Sequence, residues 1–251
     1  MEQLPAGRAP AVTPPRLRVA WLAHLYTASG AATALAAVLA LEAGDLRATL
    51  LWLVLAVVID ATDGVLARAL HVKERLPWFD GGTLDNVVDY LTYVFVPALI
   101  VAKAGLVPPS LALPIGAAML IASGYGFSRA DAKVATTDYF FTGFPSYWNL
   151  VVVYLVDWRL SPVVNTGILA LLVVLVFVPV RYVYPSRTVT WRPVTIGLGA
   201  IWGVCLAMVI WRLPEPGGPW SWLALVFPVY YVALSLRLSV DERRRRAIPS
   251  P

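Results

Sequence analysis

Four aspartates stand out by type and spacing. Asp60 and Asp63 are three residues apart, and Asp85 and Asp89 are four apart. On a helix, steps of three or four put side chains on one face, so each pair can act as a unit. Carboxylates are hard oxygen donors, and no cysteine or histidine stands beside these pairs. That set suits Mg²⁺ or Mn²⁺ rather than a softer ion. Four carboxylates on two helices suit two ions held close together, the arrangement used for phosphoryl displacement. The same residues admit two other uses: a proton relay in a cation transporter, and the capping of helix ends. Capping suits Asp85, near a helix N-terminus. It does not suit Asp60 and Asp63, because a carboxylate at a helix C-terminus opposes the dipole.

The neighbours fit a phosphate-bearing ligand. Gly64 follows Asp63 and removes a side chain where a flat group could approach the helix. Ala67 is small and lies about one turn further on. Arg68 offers a planar donor fork matched to phosphate oxygens, and it cannot by itself balance four negative charges. Gly81 and Gly82 loosen the entry to the helix that bears Asp85 and Asp89.

The elements that must position these residues are membrane helices. Hydrophobic residues make up 59% of the 251-residue chain and charged residues 14%, with a mean hydropathy of +0.71. A soluble domain carries about 25% charged residues, so this chain cannot cover itself with polar surface. Its apolar runs approach the ~20 residues that span a bilayer. The expected fold is all-α: a polytopic helical bundle with about eight spans near 19–42, 46–69, 83–104, 109–126, 144–160, 162–182, 194–212 and 219–238. Of the 20 lysines and arginines, only Arg47, Lys103, Arg159 and Arg212 fall on one side when the N-terminus is placed in the cytoplasm. That asymmetry predicts both termini cytoplasmic. Both aspartate pairs then lie at similar depth on the cytoplasmic side, joined by a short loop.

Residues 1–15, with Pro5, Pro10, Pro14 and Pro15, read as a disordered tail, 16–240 as one transmembrane domain, and 241–251 as a basic tail. The run Arg243–Arg246 suits anionic lipid, and no nucleic-acid partner is expected. Gly199 and Gly203 form a GxxxG step that permits close helix packing within the chain or in a homodimer.

The spacing D-x-x-D-G-x-x-A-R then G-x-x-x-D-x-x-x-D resembles the signature of the CDP-alcohol phosphotransferases. It is read here at Asp60, Asp63, Gly64, Ala67, Arg68, Gly81, Asp85 and Asp89. Twelve residues separate Arg68 from Gly81, longer than in most of the family. That insert, with 24-HLYTASGA-31 and 138-DYFFTGFPSYWNL-150, is similar to a bacterial branch that uses choline. The resemblance covers roughly residues 20 to 240. It implies transfer of a phosphatidyl group from CDP-diacylglycerol to choline with release of CMP, at the cytoplasmic face of the bacterial inner membrane. It implies Asp60, Asp63, Asp85 and Asp89 at two Mn²⁺ or Mg²⁺ ions, with Asp89 also acting as base. Gly64, Ala67 and Gly81 would contact the cytidine, Arg68 the phosphates, and Thr27 the nucleotide from the first helix. Serine, inositol or glycerol phosphate is the alternative alcohol within the family.

Choline carries a permanent positive charge without N–H donors, and aromatic faces recognise such a group selectively. Tyr90, Tyr93, Phe144, Tyr147 and Trp148, with Asn149 as a polar contact, are the expected choline-binding residues; Tyr139, Phe140 and Phe141 belong to the same aromatic stretch. An interfacial aromatic belt is the competing reading of these rings. His24 reads as a packed or interfacial histidine. Arg129, Lys133 and Arg187 fit either the lipid phosphate or the positive-inside bias.

Overall fold

The computed structural model describes residues 14–129, 133–135, 139–184 and 189–247. The chain is helical nearly throughout these residues and carries the broad apolar surface of a membrane protein. Leu22, Leu25, Leu113, Ile121, Val163, Ile201 and Trp222 are among the large apolar side chains left exposed. In water such a surface would drive aggregation; in a bilayer, lipid tails cover it.

The first two helices, α1 (Pro14–Glu42) and α2 (Leu46–Ala69), form a hairpin. Its turn is closed by Asp45, whose carboxylate accepts the Ala48 N–H at 2.9 Å. A short helix α3 (Val72–Arg75) lies within the Arg68-to-Gly81 insert. Next comes α4 (Gly81–Asp89), capped by Asp80, which accepts from Gly82 N, Thr83 N and the Thr83 hydroxyl. Those bonds, the Thr83 hydroxyl first among them, hold the Asp80 carboxyl below the usual carboxylate range. The helix continues through a π-helical segment, Tyr90–Phe95, into α5 (Val96–Lys103). Pro97 explains the widening. It has no N–H to give Tyr93 O, and its ring would crowd that carbonyl in a regular helix.

One stripe on α1 sets the packing around the aspartates. Ala20, Ala23, Thr27, Gly30, Ala34 and Ala37 recur at steps of three and four, and all are buried. Small residues let backbones approach closely. At Gly30 an added Cβ would sit 2.5 Å from Val88 Cγ1, so α1 seats α4 directly.

The remaining helices are α6 (Pro109–Ser128), α7 (Trp148–Trp158), α8 (Pro162–Phe177), α9 (Arg192–Arg212), α10 (Pro219–Leu223) and α11 (Val226–Ala247). Among the described residues, six stretches are long and apolar enough to cross a membrane: Leu17–Glu42, Leu46–Ala69, Gly81–Lys103, Pro109–Ser128, Arg192–Arg212 and Pro219–Asp241. The expected fifth and sixth spans are the shorter helices α7 and α8. Arg159, at φ +49°, ends α7. Pro179 forces Val178 into the extended region and ends α8. The stretch Gly81–Lys103 is the hub. Half of its most apolar window is buried, against 22–28% for the other five. Around it Leu50, Leu53, Val94, Val96, Ile100, Met119, Trp148, Val152 and Leu169 form the main core.

A small antiparallel sheet was not expected from the sequence. It comprises β1 (Lys133–Ala135), β2 (Tyr139–Thr142) and β3 (Arg181–Val183), in that order. Phe140 pairs with Val183 and Phe141 with Tyr182. Phe140 faces a cluster with Val183 and Leu234, and Phe141 points the other way, following the alternation of a strand. Gly143 then turns the chain at φ +87°; an added Cβ would lie 2.2 Å from Val176 O. Backbone bonds from Phe144 N to Leu175 O and from Gly143 N to Val180 O fasten this strap to α8 and to the segment that follows it.

Of the tails expected at 1–15 and 241–251, residues 1–13 and 248–251 lie outside the described residues, as do Asp138 and Arg187. The backbone of α11 stays helical through Arg243–Arg246. Gly199 packs within the chain, 3.5 Å from the Phe227 ring by its added Cβ, while Gly197 and Gly203 face open space.

Candidate functional site

Three of the four aspartates converge. Asp60 from α2 and Asp85 and Asp89 from α4 each place one carboxylate oxygen within 4.8 Å of the others. The i,i+4 step on α4 aligns its pair, and the seat on Gly30 brings that face to α2. At this separation each like-charged pair costs ~3 kcal/mol in a medium of effective dielectric about 20. An all-oxygen acidic set at this spacing fits a hard divalent cation, which would offset the repulsion. Tyr93, on the π-helical segment, donates its O–H to Asp60 Oδ2 at 2.7 Å and is only 8% exposed. Of two roles open to Tyr93, contact with a ligand cation and support of Asp60, the structure displays the second.

Asp63, one turn beyond Asp60, is 7% exposed and supplies no oxygen to the three-residue group. Beside it, the guanidinium of Arg68 folds over Gly64, with Nη1 3.1 Å from where a Cβ would stand. Ala67 packs against the Ala20, Ala23, Val72 and Leu76 cluster. Thr27 is buried and its hydroxyl donates to Ala23 O at 3.4 Å. Gly81 faces the imidazole of His24, whose Cε1 is 2.7 Å from an added Cβ. His24 is buried against Phe79 and Trp21, with ring centroids 4.4 and 5.9 Å away. These residues flank the α1–α2–α4 junction rather than the carboxylate group itself.

The carboxylates form one wall of a cavity of about 230 Å³. Aromatic rings form much of the rest: Tyr93, Phe127, Phe141, Phe144, Tyr147 and Tyr184. Phe141 and Tyr184 are paired at 4.5 Å between centroids, and Tyr93 and Tyr147 at 6.0 Å. Arg129 and Asn86 also line the space. Of the expected choline-binding residues, Tyr93, Phe144 and Tyr147 reach this cavity, whereas Tyr90, Trp148 and Asn149 stand behind it. Tyr90 donates to Leu120 O at 2.8 Å and meets Phe127 edge-on. Trp148 is fully buried, donates Nε1 to Ser123 Oγ at 2.8 Å and supports Phe144 at 5.1 Å. Asn149 is buried with its Oδ1 on Leu150 N.

Sequence reasoning missed Tyr184, Asn86 and Phe127. Asn86 lies beside Asp85 and was legible by adjacency. Tyr184 was not, since it reaches the cavity only through the pairing of β3 with β2. The arrangement can hold a divalent cation against one wall and surround a positively charged organic group with ring faces and carboxylates.

No family model matches the chain. Among curated proteins, the phosphatidylcholine synthase of Legionella pneumophila is 40% identical over 223 residues, covering 86% of this chain and 87% of the relative. That of Pseudomonas aeruginosa is 36% identical over 231 residues, 92% of this chain and 96% of the relative. The Bradyrhizobium diazoefficiens enzyme is 39% identical over 222 residues, covering 88% and 82%. With identity at this level across most of both chains, and with the aspartate constellation and membrane bundle in place, the chain belongs to the phosphatidylcholine synthase family.

Proposed function

We propose that this membrane enzyme transfers the phosphatidyl group of CDP-diacylglycerol to choline and releases CMP. The observation that carries the reading is the meeting of Asp60, Asp85 and Asp89 on one wall of an aromatic cavity. The carboxylates of Asp60, Asp85 and Asp89 would hold Mn²⁺ or Mg²⁺, with Asp63, one turn along α2 from Asp60, as the fourth member of a two-ion set. Ions held there would supply positive charge against the diphosphate and the departing CMP phosphate.

The chain's own residues do the rest. Asp60 is held by Tyr93. Asp89 accepts the proton of the choline hydroxyl, whose oxygen attacks the phosphorus that bears the diacylglycerol oxygen. The bond from that phosphorus to the CMP oxygen breaks, and CMP leaves. Arg68, beside Gly64, and Arg129, at the cavity wall, hold phosphate oxygens through their planar forks. Gly64, Ala67, Gly81 and Thr27 form the cytidine side, at the α1–α2–α4 junction. Tyr93, Phe141, Phe144, Tyr147 and Tyr184 surround the trimethylammonium group. Serine, inositol or glycerol phosphate would make poor use of these ring faces, since each needs hydrogen-bond partners. The positive-inside bias of the lysines and arginines supports a site at the cytoplasmic face of the bacterial inner membrane.

The test is direct. Purified chain with CDP-diacylglycerol, Mn²⁺ or Mg²⁺ and one alcohol at a time releases CMP with choline. Release with serine, inositol or glycerol phosphate instead would reject the choline assignment.

A further inference from the structure

The end of the bundle opposite the aspartates holds a second hollow of about 570 Å³. Arg47 lies thirteen residues before Asp60 on α2, roughly 20 Å along its axis. The hollow is walled by the α1–α2 turn, the segment after α5, the α7–α8 junction and Leu213–Pro214 after α9. Two arginines line it. Arg47 Nη2 donates to Leu213 O and Arg159 Nη2 to Pro214 O, the carbonyls of consecutive residues. A guanidinium has five N–H donors, so each retains several for a ligand. Asp45 is the acid in the lining, and its Oδ1 is engaged by Ala48 N. Asn165, 1% exposed, also lines the hollow. Its Nδ2 donates to Leu106 O at 2.9 Å, while its Oδ1 has no hydrogen-bond partner. A buried carbonyl oxygen left without a donor is costly, which points to a missing donor group.

The chemistry of the pieces is complementary to a lipid headgroup. Paired arginine forks match the oxygens of a phosphodiester. The unpartnered Asn165 oxygen asks for a hydroxyl or ammonium hydrogen. The apolar rim (Leu106, Leu155, Val156, Leu160) suits the first carbons of acyl chains. A trimethylammonium headgroup has no hydrogen to give Asn165. We infer that this hollow is a headgroup site for a phospholipid of the leaflet opposite the aspartates, one whose phosphodiester is joined to a hydroxyl- or ammonium-bearing group. The inference stands on the hollow's own residues and does not depend on the transfer reaction.

Thermal unfolding of the full chain in detergent micelles tests it, titrated with dihexanoyl phosphatidylglycerol, phosphatidylethanolamine or phosphatidylcholine, or with inorganic phosphate. The first two lipids raise Tm saturably, and the R47Q/R159Q variant needs at least about tenfold more of either for half the shift. Phosphatidylcholine, which has the phosphodiester but no hydrogen for Asn165, needs at least about tenfold more than phosphatidylglycerol with the wild type, and an equal wild-type midpoint overturns the headgroup assignment. Both arginines also hold backbone carbonyls, so the glutamine variant could fail to fold. R159K keeps a donor for Pro214 O but loses the fork, and weakens phosphatidylglycerol binding several-fold at unchanged unliganded Tm. Equal phosphatidylglycerol midpoints in wild type, R47Q/R159Q and R159K overturn the site. Inorganic phosphate matching the lipids in midpoint overturns the lipid assignment.

Discussion

At the scale of single residues, the proposed mechanism gives the carboxylates different roles. Asp89→Asn removes the proposed base and lowers kcat by roughly 10²–10⁴-fold, the span of general-base contributions, with choline KM little changed; steady-state CMP release measures both. Tyr93→Phe removes one hydrogen bond to a charged acceptor, which raises the Mn²⁺ concentration for half-maximal activity about tenfold. The aromatic stretch now separates into two kinds of ring. Tyr147→Ala, at the cavity, raises choline KM at least about tenfold. Trp148→Ala empties a fully buried site and destabilises the fold by ~3–5 kcal/mol, read as a lowered Tm. The acidic spacing was legible because a helix converts sequence steps into a face. The sorting of Tyr147 from Trp148 was not, because neighbours in sequence at a strap-to-helix junction point in directions that only the fold decides.

At the scale of elements, α1 works as the jig that sets α4 against α2. Gly30→Val forces a β-branched side chain into the space of Val88 Cγ1. The variant loses ~1–3 kcal/mol of stability by overpacking and loses Mn²⁺ affinity as well, because Asp85 and Asp89 ride on the displaced helix; unfolding and Mn²⁺ titration of one preparation check the two effects together. The stripe from Ala20 to Ala37 was present in the sequence as small residues at helical steps, yet its partner was not named there. The π-helical segment follows from Pro97 once Tyr93 is known to lie one turn before it. The sheet was hidden for a different reason. The pairing of Phe140 with Val183 joins residues separated by two helices, and three- or four-residue strands leave no periodic trace.

At the scale of the whole molecule, composition alone gave the bundle, since 14% charged residues cannot solvate 251 residues. Helix lengths were less accessible: Arg159 and Pro179 end α7 and α8 early, leaving six long apolar stretches and two short apolar helices. The hydroxyls that line the cavity, those of Thr142, Ser146 and the tyrosines, have no histidine or lysine among the lining residues to activate them, which favours direct displacement. Transfer therefore inverts configuration at the lipid phosphorus, which a chiral phosphorothioate substrate reports; retention would require a covalent enzyme intermediate. The claim beneath all of this is that α2 and α4 jointly grip divalent cations. Mn²⁺ binding to purified wild type, D60N and D85N, followed by the electron paramagnetic resonance of free Mn²⁺, tests it most directly. Wild type binds Mn²⁺, and each variant, one from either helix, binds at least about tenfold more weakly. Mn²⁺ affinity unchanged in both variants would contradict it.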